Sequence, residues 1–265
     1  MTKEERVTRW LDERQGDLYE YQSRLIQIDT QNMKTHGREA EGQKLVQAFC
    51  RQNGWAADLY SVQSIPGIAE HPGYLPGRGM EGRPNVSVLF AGAAPRRRIM
   101  LAAHMDTMPI GDEARWTVAP LGGLVRDGRI WGRGSSDNKG GIASAMYALK
   151  ALADCGIRLK DDVVFTSYAD EEYGGGDGAL AACLRYPCDL YINLDGQDMN
   201  LCPWGVGGCI YDLALRLNHT TETALPAFEA AALAVEQIKG FAAARDLEFS
   251  GSSIYRQSRE RDQRV

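Results

Sequence analysis

Apolar positions along the chain switch between two periods, and the switches mark out its elements. Residues 3–29 carry Val7, Trp10, Leu11, Leu18, Tyr21, Leu25 and Ile28 at the spacing of an amphipathic helix, which Gly16 is expected to divide in two. Residues 39–53 predict a further helix closed by Gly54, a residue suited to a left-handed C-terminal cap. From 64 to 83 the periodicity stops and Gly and Pro accumulate, which predicts a long loop. Strands are expected at 86–90 and 99–103, and helical spacing returns over 138–153 through Ile142, Ala145, Met146, Leu149 and Leu152. Short β-rich runs occupy 162–167 and 189–192; later, 210–217 alternates as a strand and 226–244 forms an Ala-rich helical stretch. Alternation of strands and helices as far as Asp195 predicts an α/β fold, a sheet covered by helices on both faces.

Chemistry gathers where the apolar runs end. The run before 104 closes in His104-Met105-Asp106, and side chains two apart on an extended segment share one side, with Met105 turned to the interior. One of the pair can ligate a metal while the other orients it. Taken alone, the same residues also suit a hydrogen-bonded histidine and a turn acid. Further candidates follow: Asp137 at the mouth of the 138–153 helix, Glu171 and Glu172 after the third run, and Asp195 after the fourth. Carboxylates beside apolar runs are costly to desolvate unless paired or coordinated, and one cation would relieve all of them together. Adjacent Glu171 and Glu172 point in different directions, so one can bind metal while the other moves protons.

The order His104-Met105-Asp106, then Gly132-Arg133-Gly134-Ser135-Ser136-Asp137-Asn138-Lys139-Gly140-Gly141, then Asp170-Glu171-Glu172, then Leu194-Asp195-Gly196 resembles the zinc metallopeptidases and amidohydrolases of peptidase family M20. Arg83-Pro84-Asn85-Val86, Trp116 and Pro120 add to the match, which spans roughly residues 17–240. The resemblance implies a three-layer α/β/α catalytic domain with a mixed sheet over residues 1–206, and the beginning of a small α+β lid or dimerisation domain over 207–248. It implies His104 and Asp195 as ligands of one metal, Asp137 as a bridge, Glu172 as a ligand of the second metal and Asp106 as support for His104. It further implies Glu171 as the general base and His219 as a donor to an oxyanion. The cofactor implied is zinc, one or two ions, with manganese or cobalt also suited to the donors. The activity implied is cleavage of an amide bond in a small substrate such as an N-acyl amino acid or short peptide.

The family pattern also implies a last histidine beyond the lid. No histidine follows His219, and 249–265 is polar, charged and expected to be disordered, so the chain reads as C-terminally truncated. Three readings stay open: a hydrolase, a truncated or split member without activity of its own, and a binding module that keeps the pocket. A homodimer or a complementing C-terminal chain is the partner such a chain calls for.

Composition narrows the remaining classes. The net charge is −5 over 265 residues with Lys and Arg dispersed, which argues against nucleic acid. No apolar run reaches the length of about 18 that a membrane helix needs, and the opening lacks the apolar core of a signal peptide. A cytoplasmic location is expected. The cysteines at 50, 155, 183, 188, 202 and 209 lack paired spacing and are expected to be free thiols; His36 and His71 are expected at the surface.

Overall fold

The computed structural model describes residues 1–196, 201 and 227–253. The chain forms two compact units, residues 1–197 and 198–265. In the first, α1 (Lys3–Glu13) opens on a capping box, in which Thr2 Oγ1 accepts from the Glu5 amide and Glu5 accepts from the Thr2 amide. α2 (Gln15–Gln27) follows at once. The division falls at Arg14 and not at Gly16: Arg14 leaves helical geometry with φ −121°, while Gly16 sits in the first turn of α2. The Arg14 guanidinium lies 4.5 Å from the centre of the Trp10 ring at this break. α3 (Ala40–Gln52) ends as expected, with Gly54 at φ +72°.

One five-stranded sheet organises this unit. Its strands are β1 (Ala57–Ser61), β2 (Pro84–Phe90), β3 (Arg98–His104), β6 (Asp162–Tyr168) and β7 (Leu190–Asn193), in the spatial order β1-β2-β6-β3-β7. β1 and β2 are antiparallel, as are β2 and β6, whereas β6, β3 and β7 run parallel. The sheet is therefore mixed, and the fold is α/β. β1 goes beyond the sequence expectation, because five residues directly after a helix are too few to display a period of two.

Period-two alternation distributes the core. Ala103 and Phe165 pack with Val46, Ile142 and Met146 beneath α3 and α4 (Lys139–Asp154), while Met100, Ala102 and Val164 pack on the opposite face with Ala182 of α5 (Asp177–Arg185). Each large side chain removed from water contributes about 1.5–3 kcal/mol, so both faces favour the same strand register. Tyr21, Phe49 and Tyr147 interleave at ring separations of 4.6–6.1 Å and bind α2, α3 and α4 together.

Two short strands, β4 (Leu124–Arg126) and β5 (Arg129–Trp131), form a hairpin whose central residues Asp127 and Gly128 have φ +54° and +69°. Both angles are positive, as a type I′ turn requires. In the second unit, α6 (Ala227–Phe249) runs five residues past the expected end, because Arg245 to Glu248 contains no breaker before Ser250 and Gly251. The expected strand at 210–217, His219, Cys202, Cys209 and residues 254–265 lie outside the described residues. Cys50, Cys155, Cys183 and Cys188 are free thiols. His36 and His71 are exposed. No helix among the described residues is long and apolar enough to cross a membrane.

Candidate metal centre

Because β3, β6 and β7 are parallel, their C-terminal ends lie along one edge of the sheet; His104 is the last residue of β3, and the loops leaving β6 and β7 carry Glu171 with Glu172, and Asp195. Asp137 reaches the same place by another route. It follows the turns after β5 and stands just before α4, at the mouth of the helix as the sequence pattern suggested.

His104 is fully buried and held from behind: its Nδ1–H donates to the backbone carbonyl of Asp106 at 2.9 Å. That bond fixes the tautomer and leaves Nε2 facing outward. Around Nε2 stand Asp137 Oδ1 at 2.8 Å, Asp195 Oδ2 at 3.5 Å and Glu171 Oε2 at 3.9 Å. Two donor sets emerge, His104 with Glu171 and Asp195, and His104 with Asp137 and Glu172, each with its ligand atoms within 4.8 Å of one another. Asp106 stands apart from both sets. Its carboxylate accepts the backbone N–H groups of Glu171 at 2.9 Å and Glu172 at 3.1 Å, together with Asn32 Nδ2 at 2.7 Å.

Electrostatics express the crowding of acids round one imidazole. Burial alone would lower the His104 pKa, but hydrogen bonds to Asp106, Asp137 and Asp195 push it up to about 12. Burial raises Glu172 to about 7, with the Asp137 charge adding to it, and burial also raises Glu171. Asp137 is lowered, chiefly by its bond to His104. One aromatic nitrogen among carboxylate oxygens is a donor set that fits a divalent cation such as zinc, manganese or cobalt. A bound cation would replace the protons that the cluster otherwise gathers.

The glycines at the start of α4 serve packing. A Cβ at Gly141 would lie 2.7 Å from the Leu194 carbonyl oxygen, so the helix could not approach the end of β7 with any larger residue there. Lys139, beside them, is fully buried and donates from Nζ to the Ile28 carbonyl at 2.9 Å, tying the end of α2 to the segment that carries Asp137. Burial lowers its pKa to about 7.

Several residues of the site's support carry no local sequence signal. Asp170 takes both Nε and Nη2 of Arg78, at 3.0 and 2.8 Å, and lies 3.2 Å from Arg83 Nη2. Arg83 also pairs with Glu39 at 2.6 Å, and all of these side chains are buried. Asn85 accepts from the Ala169 amide at 3.1 Å and donates to the Gly178 carbonyl at 2.7 Å, joining β2 to the segment that leads to Glu171. Arg83 and Asn85 stand in the Arg-Pro-Asn-Val match, which was the one available hint and named no role.

A sequence profile of peptidase family M20/M25/M40 matches residues 100–253, more than half of the chain. The chain belongs to this family. Among its curated family relatives is an N-formyl-4-amino-5-aminomethyl-2-methylpyrimidine deformylase of Bacillus subtilis (strain 168), 29% identical over 203 residues, which cover 74% of this chain and 43% of the relative. A succinyl-diaminopimelate desuccinylase of Bradyrhizobium sp. (strain ORS 278) is 36% identical over 129 residues, 48% of this chain and 30% of the relative. The chain thus spans less than half the length of the curated relatives it matches. Human carnosine dipeptidase 1 shares the fold at TM-score 0.53 and 18% identity, over 73% of this chain and 41% of that one. The dipeptidase Dug1p of Saccharomyces cerevisiae shares it at TM-score 0.50 and 19% identity, over 63% and 35%.

Proposed function

We propose that this M20 chain carries the metal-binding portion of a hydrolase that cleaves the bond between an acyl group and nitrogen in a small substrate, such as an N-acyl amino acid or short peptide. The observation that carries this reading is the convergence of His104 Nε2 with carboxylate oxygens of Asp137, Glu171, Glu172 and Asp195 on the C-terminal edge of the parallel strands. The two curated relatives above support it, since their names specify removal of a formyl and of a succinyl group.

His104, Asp137, Glu172 and Asp195 would hold the cation, most suitably zinc for these donors. When bound, a divalent ion acidifies water and polarises a substrate carbonyl. The chain's own contribution is to place and move a proton. Glu171 takes it on a carboxylate oxygen and returns it to the nitrogen of the departing amine, as a general base that becomes a general acid. Burial raises its pKa, which suits a group that must carry the proton between these steps. Asp106 keeps His104 and both glutamates in place from behind and does not reach the substrate side.

The test is metal content per chain after purification in zinc, beside Asp137→Ala. About one or two ions per chain, lost in the variant, is the expected result. A release assay on a panel of N-acyl amino acids and dipeptides then reads the reaction class. A purified, folded wild type that binds no zinc overturns the metal reading; one that binds zinc but releases no amine from any member overturns the substrate class.

A further inference from the structure

Behind the candidate metal centre lies a buried chain of charges in which Asn32 is a neutral link. We propose that Asn32 is a positioning residue that sets where the Glu171 and Glu172 carboxylates stand relative to His104, acting through Asp106. The inference rests on the metal-binding reading above.

The two hydrogens of the Asn32 amide go to two carboxylates, Asp106 Oδ2 at 2.7 Å and Asp170 Oδ1 at 3.2 Å. Its Oδ1 accepts the Lys34 amide at 2.9 Å, so the group cannot turn over without aiming an oxygen at both acids. On the Asp106 side, the same Oδ2 also accepts from the amides of Glu171 and Glu172, the two residues that supply one member to each donor set. On the other side, Asp170 is anchored by Arg78 and Arg83, and Arg83 by Glu39. Two guanidiniums therefore serve Asp170 and Glu39, and among the described residues none forms an ion pair with Asp106, which lies against His104 with its Oδ1 3.6 Å from Nδ1. Asn32 joins that carboxylate to the anchored ones. Groups that orient ligands from behind set metal affinity as well as geometry.

The backbone here is held independently of the amide. Gln31 bridges Thr107, the Asn32 N–H donates to the Thr107 carbonyl at 2.9 Å, and the Thr107 N–H donates to Thr30 at 3.1 Å. Truncating the side chain therefore leaves the segment paired.

The experiment titrates metal-free chain with Co2+ and follows the visible absorption bands and affinity of wild type, Asn32→Ala, Asn32→Ser and Val46→Ala. Val46 is a fully buried core residue whose side chain offers the relay no hydrogen bond, so its variant is expected to lower the melting temperature and leave the relay's bonds in place. Asn32→Ala is expected to weaken Co2+ binding about tenfold or more and to move the bands. Asn32→Ser, which keeps one donor, is expected to fall between it and wild type, and serves if Asn32→Ala does not fold. The proposal is overturned if the folded Asn32 variants bind Co2+ within about twofold of wild type with unmoved bands, or if Val46→Ala weakens binding in step with its melting temperature. A wild type that takes up no Co2+ is a different result, which removes the metal reading itself.

Discussion

Glu171 and Arg83 show two ways in which a single charged residue can matter. Glu171 joins the site through its side chain, while its backbone N–H is held by Asp106. Exchange of its carboxylate for an amide would remove the proposed proton carrier and leave that backbone bond intact. Glu171→Gln is therefore expected to retain metal and to lose about 10²–10⁴-fold in turnover, read by metal analysis beside single-substrate kinetics. Arg83 contributes nothing on the substrate side, yet it is fully buried between Glu39 and Asp170. Arg83→Ala leaves the buried Glu39 carboxylate without its guanidinium and Asp170 with Arg78 alone, and is expected to cost about 3–5 kcal/mol in urea unfolding. A loss below about 1 kcal/mol would mean that water reaches these acids. Glu171 was legible because it follows an apolar run and stands beside a second glutamate. Asn32 was not: its partner Asp106 lies 74 residues away, and a lone buried amide leaves no periodic trace.

At the scale of elements, legibility followed length. α3 and α4 repeat their apolar face over several turns and were readable almost to the residue. β1 and the short helix α5 were not, because five and nine residues offer too few repeats of either period. The β4–β5 hairpin did carry a signal in Asp127-Gly128, a pair suited to the two positive φ angles its turn adopts. α5 and β1 are joined by Asp58, which accepts from Arg185 Nε at 2.5 Å and from the Tyr186 hydroxyl at 2.7 Å. Burial pulls the Asp58 pKa upward, but these bonds outweigh it and leave it lowered. A carboxylate with a depressed folded pKa adds stability above its unfolded value, near 4, and loses it as pH falls through the folded value. The pair is partly exposed, so Asp58→Asn is expected to cost about 0.5–1 kcal/mol at pH 7. Urea unfolding across pH 7 to 3 checks the sign: the gap between wild type and variant narrows toward acid, and a gap that widens refutes the assignment.

Across the whole molecule the sheet brings its acids together at a cost that the fold does not remove by itself. Asp106, Asp137, Glu171, Glu172 and Asp195 surround one imidazole; burial raises the pKa of Glu171 and Glu172, and hydrogen bonds to the acids raise that of His104 against its burial. Unfolding scatters these groups over more than 90 residues of sequence, so a cation that binds the folded chain finds no equivalent site in the unfolded one. Stability then rises with free metal by mass action, about 2.7 kcal/mol at a hundredfold excess over the dissociation constant. Chelator is expected to lower the melting temperature of the metal-loaded chain, and zinc added back beyond the chelator to restore it. Asp137→Ala should flatten that response and begin from a metal-free melting temperature somewhat below that of wild type, because the bond to His104 that holds the Asp137 pKa below its usual value is lost with the carboxylate. A variant that still gains the full increment from zinc would place the ion elsewhere. A metal-free variant that melts above wild type would instead mean that repulsion among the acids outweighs the Asp137 bond to His104.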